Sequence, residues 1–270
     1  MGKVKKDSLG DRMKTYEAVP KNYLMRRTPV AIRIDGCHFH TWTWGLQKPR
    51  DYFFMCAMIR TMEELCRNIQ GCVFGYTQSD EITLILLDYQ TLETSAWFDN
   101  QVQKICSVAA SMATAYFNKN FKALVDEEEW EWKTSMVPQS IEIQENHNKL
   151  MYTLEKHIEN PATFDARCFN IPKEEVTNLI LWRQLDAERN SIQGEAQARY
   201  AQKQINGLSC KQLKEKMKVE KGFDWDKLYN YEKYGSCCYK QENGWVVDNG
   251  VPKLVGEARK LLDERVFIGD

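Results

Sequence analysis

Apolar residues along this chain fall into two spacings, one suited to strands and one to helices. PVAIRI at 29–34 is a short, β-branched run opened by Pro29 and stopped by Asp35-Gly36, which predicts a central strand ending in a tight turn. CVFGYT and ITLILLD, at 72–77 and 82–88, are two more such runs separated only by QSDE, so they predict a β-hairpin with a polar tip. Between the first strand and the hairpin, Phe54, Met58, Met62, Leu65 and Ile69 recur at spacings of three and four and form one apolar face of a helix that stops near Gly71. After the hairpin, Val102, Ile105, Val108 or Ala109, and Met112 or Ala113 repeat the pattern without a proline, giving a second helix of roughly 20 residues. FDARCFNI at 164–171 alternates, with Phe164, Ala166, Cys168 and Asn170 on one side, and Pro172 ends it as a final strand.

The predicted order is βαββαβ. That is the split βαβ, or ferredoxin-like, arrangement of an α+β fold, with one antiparallel sheet and both helices on one face. In it the first strand neighbours the hairpin, so Asp35 is expected close to Asp80 and Glu81. Carboxylates at the ends of apolar strands need a positive partner, because an unpaired buried charge costs several kcal/mol, comparable to a whole stability margin of about 5–15 kcal/mol. A divalent cation is the natural one. Polymerase palms and nucleotide cyclases use this geometry to hold two metal ions, which at about 3.5–4 Å apart stabilise the attacking and leaving oxygens of a phosphoryl displacement. Hard oxygen ligands favour two Mg²⁺ ions over zinc. A lone Asp-Gly after a strand is an ordinary turn and a lone Ser-Asp-Glu an ordinary loop; their combination on these strands is the signal.

The residues RIDGCHFH, Lys48-Pro49 in LQKPRD, YTQSDE, and FDARCFNIP followed by LWRQLDAERNSI resemble the tRNA(His) guanylyltransferases and their bacterial and archaeal relatives. These add nucleotides to RNA in the 3′-to-5′ direction, and the likeness runs in order from 29 to about 195. The resemblance implies that Asp35 and Asp80 ligate both metals with help from the Gly36 carbonyl, and that Glu81 supports this catalytic set. It assigns Lys48 and Ser79 to triphosphate handling and 5′ activation, and Gly36, Cys37, His38, Phe39 and His40 to the loop that cradles a bound triphosphate. Cys37-His38 departs from the small or basic residues usual there. Eukaryotic members follow W-R-Q-x-D with H-I-N-N-x-Y-N-T, whereas here WRQLD leads into AERNSIQ, with Glu188 replacing the histidine and Asn190 retained. This favours the bacterial and archaeal type, whose implied activity is template-dependent repair of tRNA 5′ ends. The implied reaction activates a 5′-monophosphate with ATP, after which the 3′-hydroxyl of an incoming ATP, GTP or other nucleoside triphosphate attacks the activated phosphate. Addition of one 5′ guanylate to tRNA(His), a palm-type nucleotide cyclase and a non-catalytic nucleotide-binding module are the alternatives.

Composition adjusts this picture. At 270 residues the chain accommodates a palm-like catalytic domain over 1–171, with an insertion at about 122–162, and a helical C-terminal region over 172–270 contributing to RNA binding. A net charge of -1 gives no general nucleic-acid signal, so an RNA surface has to be local. Lys203, Lys211, Lys214, Lys216 and Lys218 form such a cluster and, with Arg183 and Asn190 from the resembling segment, make up the expected RNA surface. DEEEWEW at 126–132 repels phosphate, and its tryptophans are expected to pack on a neighbouring subunit. A homotetramer is expected from the family alone. Nine cysteines without a C-x-x-C pair or a zinc spacing indicate a reduced, cytoplasmic protein with free thiols. No stretch approaches the ~18 apolar residues of a membrane span.

Overall fold

The structure, a computed structural model, describes residues 8–135 and 140–268; four residues of the expected insertion, 136–139, lie outside the described ones. The chain enters through helix α1 (Leu9–Ala18), which Ser8 caps by accepting from the Asp11 amide. Val30, Ile32 and Ile34 are buried in one core and Ala31 in another, so the first apolar run becomes strand β1 (Val30–Gly36) with two working faces. A single turn, α2 (Phe39–Trp42), leads to α3 (Tyr52–Asn68), where Asp51 caps the Phe54 amide and Phe53, Ala57, Met58, Met62 and Leu65 are buried. The hairpin follows as β2 (Cys72–Gln78) and β3 (Glu81–Leu86).

Helix α4 (Val102–Thr134) is 33 residues long, because its periodicity continues through Phe117, Phe121 and Leu124 into the acidic segment. The insertion expected from about 122 is therefore the end of α4 and a returning helix, α5 (Ile141–Glu159). Trp132 stacks on His147 of that helix at 3.8 Å between ring centres, while Trp130 stays exposed. Strand β4 (Phe164–Asn170) then pairs with β1, and α6 (Lys173–Arg199) begins directly after Pro172. The C-terminal region holds α7 (Gln202–Ile205), α8 (Cys210–Lys221), α9 (Asn230–Tyr234), strands β5 (Ser236–Gln241) and β6 (Gly244–Asp248), and α10 (Lys260–Val266).

The sheet order is β4-β1-β3-β2-β5-β6, every pairing antiparallel. Its first four strands have the order of the predicted split βαβ unit, and α3 and α4 share one face with Ile32, Ile34, Leu84 and Phe117 between them. The opposite face packs Ala31, Phe74, Ile85 and Cys237 against Val176 and Ile180 of α6 and Leu262 of α10. The expected C-terminal helices are present, and two strands stand among them. Cys237 and Cys238 alternate into the two cores, which makes this segment a strand, and it extends the sheet from the β2 edge.

Candidate active site at the hairpin tip

Asp35 is the last side chain of β1 before Gly36, on the face away from α3 and α4. Its register partners are Glu81 on β3 and Asp165 on β4, so three carboxylates lie in a row across the sheet. Like charges placed directly opposite one another repel. Burial first, then the charges of Glu81, Asp80 and Asp165, push the Asp35 carboxyl above its ordinary range, and Arg167 at 3.7 Å only partly opposes them. Asp80 occupies the tight turn after Ser79, whose φ of 54° is left-handed. The Gly36 amide donates to the Asp80 carbonyl at 3.1 Å, which ties the tip to the end of β1. Burial raises the Asp80 carboxyl as well, against the lowering effect of a Ser79 hydrogen bond.

Glu81 is neutralised separately. It accepts from Arg33 at 2.5 Å and from Arg183, which also reaches Asp186 at 3.1 Å. Both Glu81 oxygens thus belong to guanidinium groups, and among the described residues no three His, Cys, Asp or Glu side chains form a metal cluster. Glu81, named with the catalytic set as its supporting member, thus faces two guanidinium groups. Arg183, expected on the RNA surface, is 7 % exposed and faces Glu81; it holds α6 to the hairpin. Asp35 and Asp80 remain as the under-compensated acids, and two carboxylates beside the Gly36 carbonyl form a hard-oxygen set of the kind that takes Mg²⁺ together with substrate phosphates.

Gly36 is required by a close approach rather than by a turn, since a Cβ there would stand 2.3 Å from the Phe39 ring. That ring is buried against Trp42, Phe54, Phe117 and Phe164, so Phe39 can line the expected loop only through its backbone. His38 and His40 are exposed in the same loop, His38 in a left-handed conformation. Cys37 donates its amide to the Thr163 carbonyl and is half-buried.

A cavity of about 240 Å³ opens beside the tip and brings together Lys48, Ser79 and Asn190 with Gln47, Arg50 and Gly194. Its walls are joined by Arg50, which pairs with Glu195 of α6 and, at 3.0 Å, with Glu232 of α9. The expected RNA lysines are farther away on α7 and α8. Lys214 pairs with Asp226 at 2.5 Å, Lys216 with Glu220 at 2.7 Å and Lys218 with Asp224 at 3.0 Å, so one acid within α8 and two beyond it reduce this basic surface; Lys203 and Lys211 are exposed. Arg33, Asp165, Arg167 and Trp182 adjoin the site and were not singled out from sequence. The alternation of FDARCF carried the signal, because if Phe164, Ala166 and Cys168 face the core then Asp165 and Arg167 face the side of Asp35.

A split βαβ sheet carrying neighbouring carboxylates on its first strand and hairpin tip is that of a palm-type nucleotidyltransferase. The family described as tRNAHis guanylyltransferase (Thg1) matches residues 10–172. A bacterial tRNA(His) guanylyltransferase (Thg1)-like protein solved in complex with ATP superposes with a TM-score of 0.80 at 37% identity, covering 97% of this chain and 100% of that one. A second such bacterial structure, in complex with GTP, has a TM-score of 0.75 at 35% identity over 97% and 100% of the two chains. A probable tRNA(His) guanylyltransferase of Dictyostelium discoideum is 27% identical over 63% of this chain and 54% of its own. The chain belongs to the tRNA(His) guanylyltransferase family, whose members are nucleotidyltransferases acting on tRNA.

Proposed function

We propose that this enzyme extends the 5′ end of truncated tRNA in the 3′-to-5′ direction, choosing each nucleotide by pairing with the opposite strand. The observation that carries the reading is the meeting of Asp35 and Asp80 at the hairpin tip, next to a cavity that contains Lys48 and Ser79. The full-length likeness to bacterial proteins solved with ATP and GTP supports nucleoside triphosphates as substrates. Glu188 supports repair over addition of a single fixed guanylate, because it replaces the histidine of eukaryotic members and is tied to Lys253 at 2.7 Å.

Two displacements complete the reaction. In the first, a 5′-phosphate oxygen of the RNA attacks the α-phosphorus of ATP, pyrophosphate leaves, and a 5′-adenylylated end forms. In the second, the 3′-hydroxyl of the incoming nucleotide attacks the 5′-phosphorus, its proton is lost, and the bond to AMP breaks. An end that already bears a triphosphate enters at the second step and releases pyrophosphate. Asp35, Asp80 and the Gly36 carbonyl would hold Mg²⁺, which when bound stabilises phosphate charge and lowers the pKa of an attacking hydroxyl. Lys48 supplies a point charge to the polyphosphate, and Ser79 presents its hydroxyl from the exposed tip. Phosphoryl transfer of this kind needs positioning and neutralisation more than a covalent nucleophile. Glu81 fixes the hairpin through Arg33 and Arg183 while chemistry occurs at its neighbour.

The test is a tRNA lacking its first nucleotide, prepared with each of the bases at the opposing position and offered all nucleoside triphosphates with Mg²⁺ and ATP. The added nucleotide is expected to follow the opposing base. Guanylate added whatever the opposing base would identify the tRNA(His)-type activity instead, and product formed without RNA would identify a cyclase.

A further inference from the structure

We propose that Trp182, with Arg167, forms a docking platform for the RNA end: the indole stacks on the terminal base pair and Arg167 takes the 5′-phosphate. This rests on the reading of RNA as substrate and adds the surface that receives it. Trp182 sits on α6 with its side chain 51% exposed, an unusual place for a large aromatic residue beside a reacting centre. The guanidinium carbons of Arg33 and Arg183 lie 5.3 and 4.6 Å from the centre of its ring. Both arginines are held by Glu81, so one carboxylate that takes no part in the chemistry fixes two cations against the indole and presets its position. A ring oriented in this way loses little freedom when a base stacks on it.

Arg167 stands directly opposite Arg33 in the β1–β4 register, is 54% exposed, and reaches to 3.7 Å from Asp35. Its guanidinium also contacts Asp165 at 3.2 Å, which keeps it at the mouth of the site. A planar fork at the reacting carboxylate suits a terminal phosphate, and an exposed indole beyond it suits a base. The nucleotide cavity is lined by other residues, those around Lys48, Ser79 and Asn190, so Trp182 and Arg167 serve the second substrate. Their role is positioning.

The experiment measures binding of an acceptor-stem RNA duplex lacking its first nucleotide, 5′-phosphorylated or 5′-hydroxyl, at fixed salt and without nucleotide. ATP affinity is measured separately by equilibrium dialysis. Trp182→Ala is expected to weaken RNA binding about tenfold, within the range of base–aromatic stacking, and Trp182→Phe to recover most of it. Arg167→Gln is expected to weaken the phosphorylated RNA several-fold more than the hydroxyl form, with ATP affinity unchanged in every variant. RNA affinities within twofold of the parent for both Trp182→Ala and Arg167→Gln would overturn the platform and leave the RNA reading standing. The same holds if Trp182→Ala alters only the oligomeric mass. A parent protein that binds ATP but not RNA would defeat the substrate reading itself.

Discussion

Three acidic side chains side by side on one sheet face, Glu81, Asp35 and Asp165, do not share one fate, because their cations are distributed unequally. Glu81 has two arginines, Asp165 has Arg167 at 3.2 Å, and Asp35 has only a longer contact, 3.7 Å, from the same nitrogen of that arginine. The raised Asp35 and Asp80 carboxyls have a defined thermodynamic sign. The native state binds protons more tightly than the unfolded chain, so metal-free stability falls as pH rises from the ordinary carboxylate range through the raised values, and stays low above them. In chelator at neutral pH, Asp35→Asn is therefore expected to raise the melting midpoint slightly, by less than the ~2–4 °C that corresponds to ~1 kcal/mol, because solvent screens a carboxylate that is 35% exposed. The gain should shrink as pH is lowered through that window. A lowered midpoint at neutral pH in thermal melts would mean that the Asp35 charge is compensated in the fold. That Asp35, Asp80 and Glu81 would be neighbours was legible in RIDG and SDE, because each motif sits at the end of an apolar strand. That Glu81 would be neutralised was not, since Arg33 lies inside its strand and Arg183 lies 102 residues away.

Among the elements, those with clean periodicity were legible and those with charges on the apolar period were not. Helix α3 follows its stripe from Phe54 to Leu65, and β1 to β4 stand where the short apolar runs predict. Helix α4 runs past its expected end because Phe117, Phe121 and Leu124 keep the period while the acidic residues that follow remain solvated. SCCYKQ reads as a tail, yet as β5 it completes the sheet, since its two cysteines point into opposite cores. The lysines of α8 read as a free basic face because their partners Asp224 and Asp226 lie just beyond the helix. Helix α6 is fastened to the hairpin through Arg183 and Glu81. Removing one partner of a largely buried pair costs about 3 kcal/mol, so Arg183→Met is expected to lower the melting midpoint by about 6–12 °C. Adding Glu81→Gln should return part of that loss, and a double variant showing the sum of both single losses would exclude coupling between them.

At the scale of the whole molecule, the sheet separates two cores and leaves its chemistry at one end, where β1, the hairpin tip and α6 converge. Family membership and the split βαβ architecture were legible because motif and strand order coincide over the same stretch, 10–172. The cavity was less so, since it also needs Arg50, Glu195 and Glu232, and sequence gives no sign that they meet. The central claim is that Asp35 and Asp80 together form the reacting centre for both displacements. It is tested most directly by single-turnover assays of 5′-adenylylation and of nucleotide addition to a pre-activated end, using Asp35→Asn and Asp80→Asn. Each variant is expected to lose at least about 100-fold in both steps, as befits residues that hold the charge-stabilising ions, while RNA affinity stays within a few-fold of the parent. Either step proceeding near the parent rate in either variant would contradict the account.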